Sequence, residues 1–120
     1  MFSFYTKDSI VIEYASVSEV SNGLSHYSLH NHPFAGTMNY ATIQGNSYNQ
    51  GRPALAALIP SSGSNIVGHM VVITGFASLS GGENNVILMD PAYSSYRTIT
   101  HSALLSNSNY YWGATIDQIY

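Results

Sequence analysis

The sequence predicts an α+β fold in which short helices come first and an antiparallel β-sheet follows. Three observations carry that expectation. Ser16 and Glu19 form a capping box ahead of apolar residues at helical spacing. From Arg52 onward, short apolar and β-branched runs alternate with Gly-, Pro- and Asn-rich breaks. The two most apolar of these runs are joined by the short loop "ASLSGGENN", as in a hairpin. The 120 residues suit one domain, 1–120, with a modest core.

Each element follows in chain order. Residues 1–15 carry a β-like apolar patch in "SIVIEY". Val17, Val20, Leu24 and Tyr27 then define a helix over about residues 17–28, weakened at Gly23. "HNHPFAG" reads as a turn, because Pro33 cannot continue a helix. "TMNYATIQGNSYNQG" suits a second short helix closed by Gly51. "PALAALIP" is a strand between prolines. "HMVVITGF" is apolar on both faces, which predicts a central strand covered on both sides. "VILMD" is a second buried strand, "YRTIT" a third, and "NYYWGATIDQIY" a closing strand.

Composition narrows the functions open to the chain. Charged residues are only 8%, and Lys7, Arg52 and Arg97 are the three strong cations. No basic patch can form, which argues against nucleic acid and against membrane-surface binding. No apolar run is long enough to span a bilayer. With no cysteine, disulfides, thiolate metal sites and an internal thiol nucleophile are excluded. The start "MFSFYTKDSI" lacks a basic segment followed by an apolar one, so no signal peptide is read. The charge-poor surface nevertheless suits a secreted bacterial or phage protein.

Pairing in the central hairpin gives the first site residues. With the loop centred near residues 80–82, His69 faces residues 91–95, within a few positions of Asp90. A bulge or uneven loop can supply the remaining shift. A carboxylate on one ring nitrogen fixes the tautomer and prepares the other nitrogen as a base. The plainer alternative is a histidine at a strand end and an Asp-Pro turn whose carboxylate bonds backbone amides.

Other groups are weaker candidates. His26, His30 and His32 have metal-like spacing, but no Cys, Asp or Glu lies close by in sequence. They read as a polar helix end, and no metal or cofactor is expected. His101 opens "HSALLS", an exposed helix start. Ser94 and Ser95 lie near Asp90, yet no G-x-S-x-G elbow is present. Tyr110 and Tyr111 could line a sugar- or peptide-binding surface; simple sheet packing explains them as well.

Gly51-Arg52-Pro53, then Gly68-His69-Met70 through Gly75-Phe76, then Asp90-Pro91 with 21 residues from His69 to Asp90, form a pattern. It resembles the papain-fold cysteine peptidases of bacteria, most of all the staphopain-type and bacteriocin-processing-type branches. The ending "NSNYYWGATIDQIY" is similar to staphopain-type C-termini. The resemblance covers roughly residues 16–120, the sheet-bearing C-terminal portion of such a domain. It implies His69 as general base, Asp90 as its orienter and Trp112 as a shield over that pair. It also implies peptide-bond hydrolysis of a peptide or protein substrate. The family's nucleophilic Cys and the Gln before it belong to an upstream helix, and Gln44 and Gln50 lie in the wrong segment to replace that Gln. The Cys would then come from outside this chain, on a Cys-bearing N-terminal segment, and that segment or a homodimer partner would cover the exposed face. The alternative is a catalytically dead papain-like module used for binding, or associated with an inhibitor or toxin.

Overall fold

A capping box starts the first helix as the sequence requires. In the computed structural model, which describes residues 11–12, 15–61, 67–78, 84–90 and 95–120, helix α1 runs Val17–His26. The Ser16 hydroxyl accepts from the Glu19 amide at 3.1 Å, and the Glu19 carboxylate accepts from the Ser16 amide at 3.3 Å. The helix stops one residue short of Tyr27. That side chain is 78% exposed and not on the buried face expected of it. Two short strands precede the helix, β1 (Val11–Ile12) and β2 (Ala15–Ser16). The rest of the "SIVIEY" patch lies outside the described residues.

The "HNHPFAG" segment is not a turn. Its centre forms β3 (His32–Ala35), paired antiparallel with the last strand, Pro33 opposite Ile116. Proline is tolerated there because β3 is an edge strand, where a missing N–H costs no second ladder bond. The second short helix forms as α2 (Tyr40–Gln44). It continues as a π-helical turn over Gly45–Asn49, and Gly51 follows with φ +63°.

The remaining strands are β4 (Ala54–Pro60), β5 (Val67–Ser78), β6 (Asn84–Met89), β7 (Tyr96–Thr100) and β8 (Tyr110–Asp117). A five-residue helix α3 (His101–Leu105) links β7 to β8. The fold is thus α+β with an open, six-stranded antiparallel sheet in the order β7-β6-β5-β4-β8-β3. Helices do not all precede strands: β3 joins the sheet from the N-terminal side and α3 interrupts its C-terminal side. β1 runs parallel to the start of β5, Val11 beside Val67, on the edge of β5 away from β4.

Apolar side chains collect on both faces of this sheet. One cluster contains Met38, Ile43, Leu58, Val71, Ile73, Leu88, Leu104 and Trp112, under α2 and α3. The other contains Val17, Ala57, Ile59, Ala114 and Ile116, under α1. β5 is central, but its second face is only partly covered: Met70 packs on the α1 cluster, while Thr74 is exposed.

Two β-bulges decide which residues face which cluster. In β5, Ile73 pairs with Leu88 and Gly75 with Ile87, so Thr74 is an extra residue. In β8, Trp112 pairs with Leu58 and Ala114 with Ala57, so Gly113 is extra. Each extra residue reverses the alternation of side chains beyond it. Trp112 therefore faces the α2/α3 cluster, while Ala114 two residues later faces α1.

Candidate catalytic pair and cavity

His69 lies near the N-terminal end of β5, on the same sheet face as Val71 and Ile73. Asp90 directly follows the last residue of β6. Val72 pairs with Met89, so the next step sets Asp90 level with Val71, diagonal to His69. Diagonal neighbours lie about 7–8 Å apart at Cα, within reach of an imidazole and a short carboxylate. The side chains close that gap: His69 Nε2 lies 2.5 Å from Asp90 Oδ1.

The register depends on the Thr74 bulge. Before the bulge, in the half nearer the loop, Phe76 pairs with Val86 and Ser78 with Asn84. Continued without interruption, that register would set Asp90 opposite Val72, whose side chain points to the other sheet face from His69. One inserted residue is therefore what brings the pair together.

A carboxylate can only accept hydrogen bonds. With Asp90 ionised, Nε2 of His69 carries the proton and Nδ1 is the nitrogen equipped to act as a base. The Asp90 side chain is only 8% exposed and that of His69 32%. On the far side of Asp90, Arg97 reaches in from β7, its Nη1 3.9 Å from Oδ2. Arg97 pairs with Leu88, so it is diagonal to Asp90 on the other flank, two positions back along β6 where His69 is two positions beyond. Sequence inspection did not single out Arg97. The pairing rule used for His69, applied across "DPAYSSYR", would have found it.

A cavity of about 390 Å³ opens beside these three residues. Its walls are aliphatic, from Leu58, Val71, Leu88 and Ile99, and Pro60, Gly68, Asn109 and Tyr110 complete the lining. The volume and the mix of apolar wall with few polar groups suit a small ligand or one side chain of a larger one.

The other predicted residues are dispersed. Trp112 is buried in the same row of the sheet, but Leu58 stands between it and His69, since Leu58 pairs with both. Its indole N–H donates to the Ala114 carbonyl at 3.0 Å and to Thr115 Oγ1 at 2.8 Å. Its ring meets His101 edge-on at 6.4 Å. Leu58 and Tyr110, rather than Trp112, line the cavity beside the pair. Tyr111 packs in the α1 cluster on the opposite face.

His26, His30 and His32 go to three different neighbours. His26 meets Tyr27 edge-on. His30 stacks on Tyr120 and its Nδ1 lies 2.9 Å from the Gln118 carbonyl. His32 Nδ1 lies 3.1 Å from Asp117 Oδ1. Among the described residues no group of three or more His, Cys, Asp or Glu is placed to hold a metal. His101 is half-buried, with Nε2 2.9 Å from the Met38 carbonyl, and ties α3 to the segment before α2. Ser94 lies outside the described residues, and Ser95 is exposed. Gln50 accepts from Arg52 at 3.3 Å, and Gln44 ends α2; neither lines the cavity. Among the described residues no helix is long and apolar enough to cross a membrane. No family model matches the chain, and no curated protein matches it significantly.

Proposed function

We propose that this chain is the His/Asp-bearing portion of a papain-like cysteine peptidase, with His69 as general base and Asp90 as its orienting carboxylate. The observation that carries this reading is the 2.5 Å contact between His69 Nε2 and Asp90 Oδ1 beside an apolar-walled cavity. The order of the Gly-Arg-Pro, Gly-His and Asp-Pro motifs supports it. In this reading a thiol gives its proton to His69 Nδ1, and the thiolate attacks a peptide carbonyl. The imidazolium then returns the proton to the leaving amine, and water hydrolyses the acyl-enzyme. The thiol comes from outside these 120 residues, which contain no cysteine. The charge-poor composition is in keeping with a secreted setting.

A small added thiol tests the base without the missing nucleophile. The chain is mixed with 2-mercaptoethanol and p-nitrophenyl acetate, and p-nitrophenolate release is followed. His69 takes the thiol proton, a carbon–sulfur bond forms, and the ester C–O bond breaks. We expect a thiol-dependent rate above buffer that falls to background in His69→Ala. Asp90→Asn should lower it by about tenfold or more, because the wrong tautomer is then favoured. Equal rates for the wild type and His69→Ala would overturn the assignment.

The absence of cysteine favours one other reading, a papain-like module that binds peptides without cleaving them. No His69-dependent rate, together with calorimetric binding of unmodified peptides that is weakened by Tyr110→Ala, would support it.

A further inference from the structure

We infer that Arg97 is a positioning residue that acts on His69 through Asp90, orienting the carboxylate so that one oxygen meets the imidazole while the other faces the guanidinium. This inference rests on the reading of His69 and Asp90 as a base and its orienter.

Asp90 is placed where a neighbouring charge can act on its side chain. It stands just beyond the last paired residue of β6, so the ladder does not fix its backbone as it does Met89. The terminal torsion of an Asp side chain is also soft and roughly two-fold. A charge on one side of the carboxylate therefore biases its plane toward the orientation in which the other oxygen faces His69.

The two diagonal neighbours divide the oxygens between them. His69 on β5 takes Oδ1 at 2.5 Å, and Arg97 on β7 faces Oδ2 at 3.9 Å. The longer distance exceeds that of a direct hydrogen bond. Arg97 therefore acts on Oδ2 chiefly as a charge, which fixes the direction of the carboxylate without competing for Oδ1. Among the described residues, Tyr110 is the other titratable side chain on the cavity wall, from β8. Half the Arg97 side chain is open to water, 51%, so its effect is modest and sensitive to salt.

Ring ¹⁵N chemical shifts of neutral His69 test this directly, because they report which nitrogen bears the proton. We expect the Nε2–H tautomer to dominate in the wild type. Arg97→Gln should shift the population toward an even mixture and lower the thiol-dependent rate by about two- to fivefold, the range a half-exposed ion pair supplies. Arg97→Lys should restore most of both, since a point charge suffices at this distance. His32, paired with Asp117 at 3.1 Å on β3 and β8, serves as an internal control whose shifts stay fixed. An unchanged His69 tautomer in Arg97→Gln, with a changed one in Asp90→Asn, overturns the role of Arg97 alone. An unchanged tautomer in Asp90→Asn overturns the His69–Asp90 pairing on which the proposed function rests.

Discussion

Asp90 shows how much one residue's position can decide. Nearly buried, it receives an imidazole from one neighbouring strand and faces a guanidinium from the other. Burial of a carboxylate is costly unless it is paired and hydrogen-bonded, so this geometry is specific to a residue with both partners. Asp90→Leu should therefore leave the half-exposed His69 without its acceptor and abolish the Nε2 proton signal expected in a hydrogen-bonded imidazole. Thr115 holds a comparable place in the structure. Its hydroxyl accepts from the Trp112 indole at 2.8 Å and donates to the Gly36 carbonyl at 2.8 Å, and the residue is 1% exposed. Thr115→Val should cost about 1–3 kcal/mol in urea unfolding, because the Gly36 carbonyl loses a buried donor. Thr115→Ser, which keeps the hydroxyl, should cost less.

At the scale of elements, the bulges matter more than the strands they interrupt. Thr74 turns His69 onto the face that Asp90 shares, and Gly113 turns Trp112 onto the α2/α3 cluster. Gly113 also sits where a side chain would collide: an added Cβ would lie 2.7 Å from Ile59 Cγ1. Ile59 is buried and cannot yield freely. Gly113→Ala should cost about 1–3 kcal/mol, the range for overpacking a filled core, as measured by denaturant midpoint. At the other end of the chain, Ser16→Ala removes half of the α1 capping box and should cost about 1 kcal/mol. The capping box was readable from Ser16 and Glu19 alone because its contacts are local. The position of neither bulge was readable, since Thr74 and Gly113 stand within β-rich segments with nothing local to mark them.

Across the whole molecule, the two apolar clusters share their strands. Ala56 and Leu58 face one cluster while Ala57 and Ile59 face the other, so β4 cannot leave the sheet without opening both. The chain should therefore unfold in one transition, with Trp112 fluorescence and far-UV circular dichroism giving coincident midpoints. Ile116→Ala, in the α1 cluster, should cost about 2–5 kcal/mol and move the fluorescence midpoint although Trp112 lies in the opposite cluster. Separate midpoints for the two signals would show that the clusters open independently.

The sequence by itself determined a helix starting at Val17, the strand character of five later segments and the approach of His69 to within a few positions of Asp90. Each follows from local chemistry or from hairpin pairing, where residues far apart in number are tied by one short loop. Only the tertiary structure decided that "HNHPFAG" is an edge strand, because Pro33 is tolerated by what lies beside it rather than by its own sequence. It alone set Leu58 between His69 and Trp112, and fixed by the Thr74 bulge the face on which His69 meets Asp90. Those outcomes depend on strand order and on one-residue shifts of register. A single shift moves a side chain to the other face of the sheet, and its energy resides in contacts between segments that are remote in the chain.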